Sequence, residues 1–223
     1  MILNDDEFNR LQNARVAVIG LGGVGSHAAE ALVRCGVGTL LFVDNDLVDI
    51  TNINRQLIAL HSTIGMKKTD VMKNRALDIN KNANIKTLDI YYDASTQHEI
   101  DLSCYNFVID AIDTITSKLL LIKNCHESNT PVICCMGTGN KLDPTRLEIT
   151  DIYETSVCPV ARVIRRELKK IGIKKQDVLY SREEPVKVNI NDDSSTRHTP
   201  GSMPFVPPAA GYALAAYVVA QLI

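Results

Sequence analysis

The sequence of 223 residues lacks the features that define several large classes of protein. Its six cysteines form no C-x-x-C pair, which excludes a zinc knuckle and argues against a disulfide framework. It has no tryptophan, and its net charge of −2 gives no overall attraction to nucleic acid or membranes. We therefore expect a reduced protein without structural zinc, in which any basic surface is local.

Neither end of the sequence carries the long apolar run that a signal peptide or a membrane span requires. The opening stretch MILNDDEFNR is mostly polar, so we expect no secretion signal. The apolar stretch AAGYALAAYVVAQLI has 15 residues, whereas a membrane span needs about 20. We expect a cytoplasmic protein with no membrane partner, whose last segment is a buried helix.

Short apolar runs alternate with segments of helical periodicity along most of the chain. Strands are predicted at 15–20, 39–43, 85–90, 105–110, 131–136 and 146–150, and helices at 24–35, 65–80, 117–125, 157–171 and from Pro207 onwards. This alternation predicts a Rossmann-like, doubly wound, mostly parallel α/β sheet with a C-terminal extension of mixed strands and helices. We predict a single domain over residues 1–223, with a flexible crossover loop at roughly 185–204.

A glycine-rich turn joins the first predicted strand to the first predicted helix. Gly20, Gly22 and Gly25 have the G-x-G-x-x-G spacing, which lets the backbone approach phosphate oxygens at a helix N-terminus. Asp44 ends the second strand, where an acidic residue can bind ribose hydroxyls. The pattern predicts an adenine-nucleotide site. The alternative is that the glycines serve only to pack the strand against the helix.

The residues after Asp44 favour ATP over the NAD that such a turn usually binds. A polar loop follows in place of an immediate helix, and the next predicted helix, at 65–80, opens with GMKK and so carries Lys67 and Lys68 in its first turn. Cationic side chains at these positions suit a triphosphate. Simpler alternatives stay open, because Arg55 could be a solvated loop charge and Lys68 a helix-surface lysine. The polar loop contains Asp46, Asn52, Asn54, Arg55 and Gln56.

Two carboxylates follow the strand predicted at 105–110. Asp110 and Asp113 lie where the carboxyl ends of parallel strands bind ligands, and a carboxylate there can hold Mg²⁺. The alternative for Asp113 is a helix cap before the segment TITSK.

The combination of GLGGVGS, DND, TNINRQ, GMKK and DAIDT resembles the ubiquitin-activating-enzyme-like adenylating superfamily. These enzymes join a substrate carboxylate to the α-phosphate of ATP and release pyrophosphate. The resemblance implies that Arg55, Lys68 and Asp113 carry the chemistry, with Asp113 organising Mg²⁺. It also implies a nucleotide site formed by Gly20, Gly22, Gly23, Gly25, Asp44, Asp46, Asn52, Arg55, Gln56 and Lys68.

The second half resembles one branch of that superfamily, the tRNA N6-threonylcarbamoyladenosine dehydratases. The resembling stretches are IDAIDTITSKLLLI, MGTGNKLDPTRLEITDIYETSVCPVARVIRRELKK, YSREEP and PGSMPFVPPAAGYALAAYVV. In this branch ATP activates the threonyl carboxylate of the modified adenosine, and the neighbouring carbamoyl group closes a ring and expels AMP. The family usually has an arginine in a segment before the stretch matched here by LNDDEFNRLQNARV; Arg10, which lies within that stretch, is in a different register.

Other functions stay open at this point. The main alternative is an adenylyltransferase for a ubiquitin-like sulfur-carrier protein, and others are an NAD-dependent oxidoreductase and a module that senses ATP without chemistry. The superfamily also implies a homodimer and leaves a cysteine-desulfurase or sulfur-acceptor partner open. A thioester role for Cys158, which precedes Pro159 near a helix start, is open as well.

A basic stripe lies on the helix predicted at 157–171. Helical spacing puts Arg162, Arg165, Arg166 and Lys169 on one side, opposite an apolar side formed by Val160, Ile164, Leu168 and Ile171. On a protein of slightly negative net charge such a stripe suits the phosphate backbone of tRNA. The alternative is an ordinary solvated helix face.

Overall fold

The computed structural model describes residues 2–186 and 201–223, which form one seven-stranded sheet. In space the strands follow the order β3-β2-β1-β4-β5-β7-β6, and all neighbours are parallel except β6 and β7. The chain leaves β1 towards β2 on one side and later returns to β4 on the other, which opens a crevice at the carboxyl ends. The strands are β1 (Arg15–Ile19), β2 (Thr39–Val43), β3 (Asn84–Leu88), β4 (Phe107–Asp110), β5 (Val132–Cys135), β6 (Leu147–Asp151) and β7 (Asp177–Ser181).

Helices cover both faces of this sheet. Val16 and Val18 of β1 pack into one apolar core, and Ala17 and Ile19 pack into the other. Burial on both faces explains why the central strands are continuous apolar runs. The first face is covered by α1 (Asp5–Asn13), α2 (Gly25–Arg34), α3 (Lys68–Ile79) and α6 (Val206–Leu222), and the second by α4 (Ile115–Glu127) and α5 (Pro159–Lys170).

This architecture confirms the predicted doubly wound sheet, and it adds two elements that the sequence patterns did not predict. One is α1, which is nucleated by a capping box between Asn4 and Glu7. The other is β7, which lies between β5 and β6 and so joins the C-terminal extension to the same sheet. Of the predicted crossover loop at 185–204, residues 187–200 lie outside the described residues.

The last helix is a core element, as predicted. α6 packs against α2 at Gly211, where a Cβ atom would lie 2.4 Å from the carbonyl oxygen of Val24. No helix within the described ranges is long and apolar enough to cross a membrane.

Candidate active site

The structural reason for having glycine differs among the four glycine positions of the turn between β1 and α2. Gly20 has a φ of +94°, and a Cβ there would lie 2.7 Å from the carbonyl oxygen of Ala111. A Cβ at Gly25 would lie 1.8 Å from the carbonyl oxygen of Gly20. Packing alone therefore requires glycine at Gly20 and Gly25, which supports the simpler alternative at these two positions.

Packing does not explain Gly22. Within the described residues a Cβ at Gly22 would meet only Gln56 Nε2, at 3.9 Å. The backbone N–H groups of Gly22 and Gly23 also have no acceptor in the described part of the chain. An open surface with free N–H groups at a helix N-terminus is the arrangement that binds phosphate oxygens.

His27 supports the turn from behind, and the sequence reading did not single it out. Its Nδ1 lies 2.9 Å from the carbonyl oxygen of Gly23, and its ring makes an edge contact with Tyr212. Burial lowers the pKa of His27, so the neutral imidazole holds this carbonyl. A polar residue inside the apolar helix segment SHAAEALV was the available signal.

Asp44 connects the turn to the end of β2. Its Oδ2 accepts a hydrogen bond from the Leu21 N–H at 2.6 Å, and its Oδ1 accepts one from the Asp46 N–H at 2.8 Å. Burial raises the pKa of Asp44, although the nearby Lys68 opposes this effect. The carboxylate has further lone pairs, so it can still accept hydrogen bonds from ribose hydroxyls.

Lys68 is not the surface lysine that the simpler alternative proposed. It is 4% exposed, and its Nζ lies 2.6 Å from Asp46 Oδ2 and 3.9 Å from Asp44 Oδ1. Its sequence neighbour Lys67 is half exposed and forms an ion pair with Asp89. The first turn of α3 therefore directs one lysine into the candidate site and the other away from it.

The loop after β2 carries a buried polar atom that lacks a partner in the part of the chain that the structure describes. Gln56 is 7% exposed, and its Oε1 meets no hydrogen-bond partner among the described residues. Its Nε2 lies beside Gly22, 3.9 Å from the position that a Cβ atom on that glycine would take. An unpaired buried polar atom is unfavourable on its own, so its position beside the glycine turn points to a polar ligand.

Arg55 is half-buried in the same loop. Its Nη1 donates to the carbonyl oxygen of Thr51 at 3.0 Å and to Asn54 Oδ1 at 2.9 Å. Its Nε and Nη2 have no acceptor in the described ranges, so two donors stay available for phosphate. Asn52 holds the loop itself, because its Oδ1 accepts from the Asp49 N–H at 3.1 Å.

The two acids at the carboxyl end of β4, Asp110 and Asp113, have separate roles. Asp110 is fully buried, and its Oδ2 accepts from Lys118 Nζ at 2.8 Å. Burial alone would lower the pKa of Lys118, but the charge and hydrogen bond of Asp110, together with the nearby Cys134 and Cys135, outweigh burial and raise the pKa. Asp110 is therefore unavailable to a metal ion. Sequence reasoning missed Lys118 because the two residues meet only once α4 packs against the sheet.

Asp113 is exposed at the carboxyl end of β4. The N-cap of α4 is Thr114, so the helix-cap alternative for Asp113 is wrong. Its only side-chain contact among the described residues is a hydrogen bond at 3.3 Å from Thr114 Oγ1. This leaves a carboxylate free to bind a cation.

The basic stripe on α5 is formed as predicted for three of its four residues. Arg162, Arg166 and Lys169 are exposed, and with Arg165 and Tyr153 they line a surface depression of about 410 Å³. Arg165 differs, because its Nη1 donates to the carbonyl oxygen of Thr155 at 2.7 Å and to Thr155 Oγ1 at 2.8 Å. This nitrogen holds the turn before α5, and a tRNA contact by Arg165 stays a prediction.

Three further positions can now be placed. Cys158 is the N-cap of α5 and is 3% exposed, which argues against the open thioester role. Ile171 was expected on the apolar side of α5 but ends that helix and is exposed, so this expectation is wrong. Arg10 lies in α1, which ends beside the amino ends of β1 and β2, away from the site.

Comparison with known proteins agrees with this geometry. Residues 1–182 match the model of the ThiF family, and the chain belongs to that family. The chain is 43% identical to the tRNA threonylcarbamoyladenosine dehydratase of Bacillus subtilis (strain 168), covering all of this chain and 92% of that protein. The resemblance inferred from the motifs is therefore confirmed.

Two solved structures are similar over almost the whole chain. One is Escherichia coli tRNA N6-threonylcarbamoyladenosine dehydratase, TcdA, in complex with AMP, with 30% identity and a TM-score of 0.89. The other is the same enzyme in complex with ATP, with 29% identity and a TM-score of 0.87. Each comparison covers 98% of this chain and 89% of the solved one.

Proposed function

We infer that this protein is an ATP-dependent tRNA threonylcarbamoyladenosine dehydratase. The observation that carries the inference is the open backbone at Gly22, which lies beside the amide nitrogen of the buried Gln56, a side chain whose amide oxygen has no partner among the described residues. A nucleotide is the class of ligand that needs both free N–H donors and a buried polar contact at a strand–helix turn. The similarity to the B. subtilis dehydratase supports the particular reaction.

The reaction needs stabilisation of phosphate charge more than it needs a base. The threonyl carboxylate of the modified adenosine is ionised at neutral pH, so it can attack the α-phosphate of ATP directly. Pyrophosphate leaves, and the carbamoyl group of the same nucleoside then displaces AMP and closes the ring. We assign Arg55 and Lys68 the stabilisation of charge on the phosphate oxygens, because they are already in place before the reaction.

The remaining nucleotide contacts follow from the geometry. Asp44, with spare lone pairs beside Leu21, would bind the ribose, and Asp46 would keep Lys68 in position. Asn52 and Gln56 would offer amide groups to the phosphates. Gly20 and Gly25 shape the turn, and Gly22 and Gly23 would let the nucleotide phosphates come close to the backbone.

Asp113 is the residue that we propose for Mg²⁺. An exposed carboxylate at the carboxyl end of β4 fits a hard cation that prefers oxygen ligands and shares them with phosphate and water. Bound there, Mg²⁺ would neutralise charge on the phosphates of ATP.

For tRNA we propose the exposed part of the α5 stripe. Arg162, Arg166 and Lys169 present positive charge around the depression beside Tyr153, which suits a phosphate backbone near an aromatic ring. An exposed basic surface of this kind is less useful for the short tail of a sulfur-carrier protein. The sulfur-carrier alternative is therefore less well supported, and a sulfur-handling partner stays a prediction.

We also propose a cytoplasmic homodimer. Five large apolar side chains in the segment between β2 and α3 are each between 41% and 54% exposed, which is unusual for a surface that faces only water. They are Leu47, Ile50, Leu60, Ile64 and Met66. A second copy would cover them; analytical ultracentrifugation of the wild type and of a Leu47→Asp, Ile64→Asp variant would show the difference.

Mass spectrometry of nucleosides tests the function directly. Threonylcarbamoyl-modified tRNA is incubated with the protein, ATP and Mg²⁺, and the tRNA is then digested to nucleosides. We expect the threonylcarbamoyladenosine peak to lose the mass of one water, and only when ATP is present. An unchanged nucleoside, combined with pyrophosphate exchange that depends on a sulfur-carrier tail, would contradict the proposal.

A further inference from the structure

Asn140 ties together two distant parts of the chain. It follows β5 and has a φ of +56°. Its N–H donates to the carbonyl oxygen of Gly201 at 2.7 Å, and its Oδ1 accepts from the Gly201 N–H at 2.8 Å. Its own carbonyl oxygen accepts from the Val186 N–H at 2.8 Å. One residue thus fixes chain positions on either side of 187–200.

The contact continues from Gly201 to the loop between β2 and α3 that carries Asn54 and Arg55, the nucleotide loop. The carbonyl oxygen of the next residue, Ser202, accepts from Asn54 Nδ2 at 3.0 Å. The other atom of the same amide, Asn54 Oδ1, accepts from Arg55 Nη1 at 2.9 Å. Hydrogen bonds therefore connect Asn140 to the guanidinium group of Arg55 by way of the Gly201–Ser202 segment and Asn54.

We propose that Asn140 is a positioning residue for Arg55. By holding Gly201 and Ser202, it fixes Asn54, and Asn54 orients the guanidinium so that its free nitrogens face the nucleotide. The proposal rests on the proposed function only through the role of Arg55 in binding ATP. It links the loop that grips ATP to the half of the sheet that leads to the α5 stripe.

The residue type at this position fits the geometry. A φ of +56° is left-handed, which asparagine, aspartate and glycine adopt more readily than other residues. Asparagine also supplies the oxygen that Gly201 binds. Aspartate would keep both properties, glycine would keep only the conformation, and alanine would keep neither.

Direct measurement of ATP binding to the full chain, by calorimetry without tRNA, tests the proposal. Asn140→Asp is expected to bind ATP about as tightly as the wild type. Asn140→Gly is expected to raise the Kd about fivefold, the equivalent of one neutral hydrogen bond, with little change in Tm. Asn129→Gly is the matched control, because Asn129 also has a left-handed φ, of 55°, but ends α4 far from the loop. It should leave the Kd unchanged.

A double-mutant cycle separates positioning from a purely structural effect. Asn54→Ala should weaken ATP binding by a similar factor, and Asn140→Gly combined with it should weaken binding little further, because both remove the same support. Multiplicative effects, or a wild-type Kd for Asn140→Gly, would overturn the proposal. Because the assay contains no tRNA, a protein that binds ATP normally but does not dehydrate tRNA would contradict only the proposed function. A wild type that binds no ATP would overturn both.

Discussion

The candidate nucleotide site and the α5 stripe carry similar charges but hold them in different ways. Lys68, at the start of α3, is 4% exposed and is fixed by Asp46, whereas Arg162 and Lys169 on α5 are exposed to solvent. A fixed, desolvated charge can stabilise a transition state without reorganisation, and a solvated one acts over distance and is screened by salt. The same residue types thus suit catalysis in one region and association in the other.

The strongest test of this comparison is the loss of a fixed charge. Lys68→Ala should lower kcat by about 100-fold or more, the scale of removing one preorganised donor. Lys67→Ala is the matched control, because its side chain is half exposed and paired with Asp89. The measurement is the initial rate of nucleoside dehydration. Equal rates for the two variants would show that burial of Lys68 has no role in catalysis.

The glycines allow packing to be separated from ligand binding. Gly25→Ala should lower the free energy of unfolding by more than ~3 kcal/mol, since its Cβ would collide with the Gly20 carbonyl oxygen. Gly22→Ala should unfold like the wild type but bind ATP about tenfold more weakly. Urea unfolding and calorimetry measure the two effects. If Gly22→Ala bound ATP normally, the nucleotide would not approach the backbone at this residue.

On the other side of the comparison, charge reversal should affect tRNA alone. Replacing Arg162, Arg166 and Lys169 by glutamate should weaken tRNA binding. The slope of log K against log salt concentration should become less steep by at least about 3. ATP binding should not change. Arg165→Ala should instead lower the free energy of unfolding by ~1 kcal/mol, because it loses the bonds to Thr155. Filter binding over a range of salt concentrations measures tRNA affinity. An unchanged affinity in the charge-reversed variant would contradict the prediction.

The smallest effect concerns pH. Burial raises the pKa of Asp44 above its usual value of 3.8, so this carboxylate takes up a proton at a higher pH than a free aspartate does. Protonation removes an acceptor for ribose, so ATP binding should weaken as the pH falls through the raised pKa of Asp44. The stability of the unliganded fold should respond in the opposite direction: because the pKa of Asp44 is higher in the folded than in the unfolded state, its contribution to the free energy of unfolding rises as the pH falls. Asp44→Asn should bind weakly with a flatter pH profile.

Local patterns in the sequence predicted most of the sheet and most of the nucleotide loop. Each of these features is a pattern of a few adjacent residues. They are the apolar run ending at Ile19, the glycine spacing and the acid at the end of β2. β7 was not predicted, because it lies in a region where alternation is weak and is stabilised as a strand by its neighbours β5 and β6.

The missed functional details depend on residues that are far apart in the chain. Helical spacing correctly put Arg165 beside Arg162, but it carried no information on the turn at Thr155 that uses its Nη1. Lys118 meets Asp110 only after α4 docks, and Asn140 meets Gly201, which lies 61 residues further along the chain. These contacts follow from tertiary packing, so periodicity and motif spacing do not report them.

The contact between α6 and α2 has a consequence for how the protein is made. The helix that carries the glycine turn emerges early from the ribosome, but its partner at Gly211 emerges only after the rest of the sheet has been synthesised. Until then the part of α2 that packs against α6 stays exposed, and closing such a distant contact is slow. We therefore expect ATP binding to appear late during synthesis, so that a truncated or stalled chain would neither hold nor consume nucleotide.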